Sequence, residues 1–143
     1  MIEPQTGHVL HVEDDDICRM VLNRSFKKSK VPHPIIGAHD GIEALDMLRG
    51  TNGQVRFPRP FVILLDLNMP RMGGIEFLME LRQDEVLKKS IVFVLTTSNA
   101  DEDKVEAYNL GVAGYILKSP ANAFLETAAL LDTYWRVVEF PAP

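Results

Sequence analysis

The chain has little of what would mark it as secreted, membrane-bound or nucleic-acid-binding. It holds one cysteine, Cys18, in 143 residues, so no internal disulfide can form. Cys18 sits among apolar residues of a predicted helix and is expected in the core. No apolar run approaches the roughly 18 residues of a membrane-spanning helix. Net charge is −5, without the basic excess that broad binding to nucleic acid or anionic membranes requires. Met1 to Gly7 carries neither a basic region nor an apolar stretch, so no secretory signal is expected and the cytoplasm is the default compartment. Internal repeats and low-complexity segments are absent. One domain is expected over residues 7–138, with tails at 1–6 and 139–143 and nothing left for a second domain.

Five short apolar runs alternate with segments of helical spacing. The runs are Val9-Leu10-His11-Val12, Ile35 to Ala38, Phe61 to Leu65, Ile91 to Leu95 and Tyr115-Ile116-Leu117. None alternates with polar residues, as expected of strands covered on both faces in a parallel sheet. Helical stripes are read at Ile17, Val21 and Phe26, then at Ile42, Leu45 and Leu48, and then at Ile75, Leu78 and Leu81. A more polar helix spans Asp101 to Leu110, and a last one carries Phe124, Ala128, Leu131, Trp135 and Val138 on one face. Gly50 to Pro60 reads as a long surface loop. The expected fold class is α/β: a (βα)5, doubly wound, parallel five-stranded sheet of order 2-1-3-4-5.

In that topology ligands bind outside the carboxyl ends of strands one and three. Glu13-Asp14 and Asp66 fall at those ends, Thr96 at the end of strand four and Lys118 at the end of strand five. Two carboxylates ~4 Å apart repel by about 4 kcal/mol at an effective dielectric of ~20. A hard cation removes that cost, and Mg²⁺ takes one or two carboxylates plus phosphate oxygens. The set therefore suits a divalent metal and a phosphoryl group. A capping role for Asp66 in a turn would not explain the convergence of the others.

The segments Val12-Glu13-Asp14-Asp15, Leu64 to Pro70, Leu95-Thr96-Thr97 and Ala113 to Lys118 together resemble the receiver domain of two-component response regulators, the CheY-like fold. The resemblance covers the chain from Gly7 to Val138. It implies that Asp66 is the phosphoacceptor. It also implies that Glu13, Asp14, Asp66 and the Asn68 backbone carbonyl hold Mg²⁺, one of the acids through water. Thr96 and Lys118 would grip the phosphoryl oxygens, and Tyr115 would be the switch aromatic. Such a protein is not an enzyme in the ordinary sense, although Asp66, Lys118 and Thr96 would assist its own phosphorylation and dephosphorylation. Its partners would be a sensor histidine kinase and a downstream protein. Arg59-Pro60, Leu95 to Ser98, Lys118-Ser119 and Asp132 to Trp135 are further similar to the single-domain regulators of phytochrome-type histidine kinases.

This sequence departs from the receiver pattern in three places. Glu13 stands where Asp is commoner. Thr97 is larger than usual there and is expected to narrow the path to Asp66 and slow hydrolysis. Ser119 replaces a proline whose preceding peptide is typically cis in the family, which leaves the Lys118-Ser119 peptide open. Among other functions, an aspartyl phosphatase would want an acid where Asn68 stands. A nucleotide or flavin binder would be repelled by Glu13 to Asp16. A degenerate receiver serving as a constitutive binding module is the alternative, and the intact acid, hydroxyl and lysine set argues against it. Asp15 or Asp16 is expected to cap the first helix. His11 is expected to be a satisfied core histidine, with no second His or Cys at metal spacing. Tyr134, Trp135 and Phe140 suggest more apolar surface than the sheet needs, hence a homodimer through helix four, strand five and the extended helix five.

Overall fold

The structure, a computed structural model, describes residues 7–118 and 123–141. Five parallel strands alternate with five helices: β1 His8–Val12, α1 Asp16–Lys28, β2 Ile35–Ala38, α2 Gly41–Arg49, β3 Phe61–Leu65, α3 Gly74–Gln83, β4 Ile91–Thr96, α4 Asp101–Asn109, β5 Gly114–Leu117 and α5 Ala123–Val137. The sheet order is β2-β1-β3-β4-β5, as the alternation predicts. Val12 pairs with Leu65, Leu65 with Val94 and Thr96 with Leu117, so the strands end along one edge.

Successive side chains leave a strand on opposite faces. Leu10, Val12, Ile63 and Leu65 accordingly pack with Leu45, Leu48, Phe77, Leu78 and Leu81 of α2 and α3. Val9, Val62 and Leu64 pack on the other face with Leu22 and Phe26 of α1 and Ala128, Leu131 and Trp135 of α5. The three central strands are covered on both sides. The edge strands are not: Ile36 is 37% exposed and Leu117 38%, because an edge strand has helix cover over only part of its width. The uninterrupted apolar runs therefore overstated the burial of β2 and β5.

The first helix is rotated from its expected stripe. Asp15 caps it by accepting from the N–H groups of Ile17 and Cys18. That start turns Cys18, Leu22, Ser25 and Phe26 inward and leaves Ile17 67% exposed. Ile42 likewise lies at the edge of its helix, and Ala44, Leu45, Met47 and Leu48 are the buried positions of α2. The segment before β3 is a surface loop, pinned by Phe57, which is buried and donates its N–H to the Met47 carbonyl. The aromatic residues of α5 turn inward. Trp135 stacks on His33 with ring centroids 4.3 Å apart, Tyr134 meets Phe93 edge-on at 5.2 Å, and Phe140 closes over Trp135 at 5.5 Å. Gly7 crosses this cluster so closely that a Cβ there would overlap the Trp135 indole.

Candidate functional site

The strand ends bring Glu13, Asp14, Asp66, Thr96 and Lys118 together. Asp66 follows β3, its N–H donates to the Val12 carbonyl, and it is only 4% exposed. Its Oδ1 accepts from Thr96 Oγ1 at 2.8 Å and from the Asn68 N–H at 3.3 Å. Its Oδ2 lies 3.6 Å from Lys118 Nζ. Lys118 sits closer to Glu13, with Nζ 2.5 Å from Oε1, while Glu13 Oε2 accepts from the Asp15 N–H at 3.4 Å. Glu13, Asp14 and Asp66 each offer one oxygen within 4.8 Å of the other two. Asp14 is the exposed member, at the mouth.

Two buried carboxylates beside one ammonium set the electrostatics. Burial raises the pKa of Glu13, and Asp66 raises it further. The Lys118 hydrogen bond pulls it down without fully offsetting them. For Lys118, burial works to lower the pKa, but the bond to Glu13 and the charges of Asp66 and Glu13 outweigh it and hold the ammonium above its ordinary value. The lysine is firmly charged, and the cluster keeps an excess of negative charge. Three converging carboxylate oxygens with that excess fit a hard divalent cation.

A relay of contacts leads away from Thr96, which is fully buried. Its Oγ1 accepts from the Ser98 N–H at 3.4 Å, and the Ser98 carbonyl accepts from the Tyr115 hydroxyl at 2.9 Å. The Tyr115 ring rests half-buried against the core face that α2 and α3 cover. Ser98 falls in the Leu95 to Ser98 segment, but the sequence assigns it no role, since a Ser in a loop carries no spacing signal. Gly74 was also missed. A Cβ there would lie 2.6 Å from the Asp66 carbonyl oxygen and 2.7 Å from Leu67 Cα, so only glycine lets α3 start this close to the loop. The Gly73-Gly74 pair was the available sign. Thr97 is exposed at the rim. The Lys118-Ser119 peptide lies outside the described residues.

His11 departs from expectation. It is buried, yet neither ring nitrogen has a partner among the described residues, and burial pushes its pKa down to about 3. Cys18 and Glu13 lie beside it, with one donor atom of each of the three within 4.8 Å. No sequence spacing points to this trio, because the α1 cap is what turns Cys18 inward.

Comparison with known proteins agrees with this geometry. The response regulator receiver domain family model matches residues 9–129. The chain is 38% identical over 111 residues to the response regulator Rcp1 of Synechocystis sp., covering 78% of this chain and 76% of that one. The structure of the phosphorylated cyanobacterial phytochrome response regulator RcpA superimposes with a TM-score of 0.85 at 33% identity, covering 96% of this chain and all of that one. The Mn²⁺-bound form of Rcp1 superimposes with a TM-score of 0.83 at 34% identity, covering 94% and 99%. The chain belongs to the response regulator receiver family, and its solved neighbours include phytochrome response regulators. Receiver domains are generally non-enzymatic signalling proteins that bind a divalent metal. No described helix is long and apolar enough to cross a membrane.

Proposed function

We propose that this protein is a single-domain response regulator, cytoplasmic, that accepts a phosphoryl group on Asp66 from a sensor histidine kinase of the phytochrome type. The observation that carries the reading is the Asp66 carboxylate, 4% exposed, held 2.8 Å from the Thr96 hydroxyl and 3.6 Å from the Lys118 ammonium. Oδ2, which faces Lys118, attacks the phosphorus of the donor phosphoimidazole. The P–O bond forms as the P–N bond breaks, and the imidazole leaves. Lys118 stabilises the charge on the transferred group, because catalysis of phosphoryl transfer is mostly positioning and electrostatics. Glu13, Asp14, Asp66 and the Asn68 carbonyl would hold Mg²⁺, which would neutralise the carboxylates and the incoming phosphoryl oxygens.

Once Asp66 is modified, the Thr96 hydroxyl turns from Oδ1 to a phosphoryl oxygen. It thereby pulls on Ser98 and, through the Ser98 carbonyl, on Tyr115. The change reaches β5 and α4, where Val105, Tyr108 and Leu117 are exposed, and α5 adds the exposed Leu130 and Val137. This face is the proposed site of homodimerisation and of contact with a downstream protein. It no longer includes Trp135, Tyr134 and Phe140, which pack within the chain.

The test is to add a small phosphodonor with Mg²⁺ and weigh the intact protein. One added phosphoryl mass, absent in Asp66→Asn, supports the reading. A wild-type mass that never changes, with donor or kinase, would mean a constitutive binding module instead.

A further inference from the structure

His11 and Cys18 take no part in the phosphoryl chemistry, yet they meet Glu13. His11 comes from β1, Cys18 from the first turn of α1 and Glu13 from the junction between them. A ring nitrogen, the thiol sulfur and a carboxylate oxygen lie within 4.8 Å of one another, and all three residues are buried. His11 is 1% exposed, and both of its nitrogens lack a partner among the described residues. A buried polar atom left unpaired is destabilising. Around them Val9, Leu22, Val62 and Leu64 form an apolar face in which a valine or leucine at His11 would carry no such cost.

We propose that His11, Cys18 and Glu13 form a site for a borderline-soft divalent cation of the zinc class, and that Glu13 is shared between it and the hard-cation site at Asp14 and Asp66. Imidazole, thiolate and carboxylate are the donors zinc selects, whereas magnesium takes oxygen ligands only. Zinc bonds of about 2.0–2.3 Å set tetrahedral donors roughly 3.3–3.8 Å apart, so the three must close by no more than about 1.5 Å. Binding sends the Cys18 proton to solvent and leaves one coordination position for water. Lys118 and Arg19 are positive neighbours of His11 that oppose a cation there, and the thiolate and carboxylate charges offset them. The sharing of Glu13 rests on the reading of that residue as a hard-cation ligand. The site itself does not.

Cobalt(II) tests this, because a thiolate–cobalt charge-transfer band can come only from Cys18, the single cysteine. With full-length, metal-stripped protein, one Co²⁺ per chain should raise that band, together with a paramagnetically shifted imidazole proton in the wild type. Cys18→Ser should abolish the band. His11→Leu should weaken Co²⁺ by about tenfold or more, and Asp66→Asn should keep the band. Excess Mg²⁺ should raise the apparent Co²⁺ dissociation constant. A wild type without the band or the shifted proton overturns the site, as does half an equivalent bridging two chains. Mg²⁺ that binds without changing Co²⁺ affinity overturns the sharing of Glu13. Mg²⁺ that fails to bind even without Co²⁺ defeats the hard-cation reading and leaves the thiolate site standing.

Discussion

Lys118 is bonded to Glu13, at 2.5 Å, more closely than to Asp66, at 3.6 Å. The ammonium thus offsets the repulsion between two buried carboxylates, while remaining within reach of a group added to Asp66. Lys118→Ala leaves Glu13 buried without its cation, and an unpaired buried group costs about 1–3 kcal/mol. The variant should fold, lose roughly that much stability to urea and recover part of it in Mg²⁺. Phosphorylation should be slower, and the phosphorylated variant should keep the NMR spectrum of the unmodified protein. A fully switched spectrum would refute the role of Lys118.

Asp66→Asn removes the nucleophile and one of the repelling charges while keeping the shape. Its phosphorylation should fall to background by intact mass, and its thermal midpoint should equal or exceed that of the wild type. A variant that gains one phosphoryl mass at the normal rate would place the acceptor elsewhere.

Asp14 is exposed, so Asp14→Ala should change stability by no more than about 0.5 kcal/mol. Its effect should fall on metal: Mg²⁺ should bind more weakly, and phosphorylation should need more of it. Chelation with EDTA should stop transfer to the wild type. Transfer that continues unchanged in EDTA contradicts the cation site.

Protonation of His33 should be visible through Trp135, the single tryptophan, stacked on it at 4.3 Å. Burial lowers the His33 pKa below its ordinary 6.5. Asp132 from α5 pulls against this, and His8 from β1 adds to it. The Gly7 N–H donates to Nδ1, which requires the unprotonated ring. The fold therefore favours neutral His33, and the unfolded chain takes the proton first as pH falls. The stability this supplies is complete above about pH 6.5 and declines below it. Trp135 fluorescence should be quenched with a midpoint under 6.5, and His33→Gln should flatten both curves. A midpoint above 6.5 would show the sign to be wrong.

Dimerisation should respond to charge on α4 and α5. Tyr108→Asp and Val137→Asp replace residues 53% and 75% exposed, so the monomer fold should survive. Light scattering at micromolar concentration should give a dimer for the wild type, with or without beryllofluoride, and a monomer for the double variant. A wild type that is monomeric in both conditions, or a dimer untouched by these changes, removes this face from consideration.

Most of the architecture was legible because five apolar runs separated by helical spacings admit few arrangements. Asp66, Glu13, Asp14, Thr96 and Lys118 were legible for a related reason. In a parallel sheet a residue just past a strand lies at the same edge as its counterparts, so sequence position becomes spatial position. Burial was less legible where it depends on neighbours. An apolar run does not reveal whether its strand is central or at an edge, and Ile36 and Leu117 lie at edges.

Side-chain direction was decided only by the tertiary structure. The Asp15 cap fixes the rotation of α1, sending Cys18 toward His11 and Glu13 and Ile17 into solvent. The closure of α5 over β1 buries Trp135 against His33, although its stripe fits a core or an interface equally well. Sequence spacing determines which residues share a strand end or a helix face. How each helix turns and what covers it depends on packing between segments distant in the chain, such as Gly7, His33 and Trp135, and no local pattern encodes that.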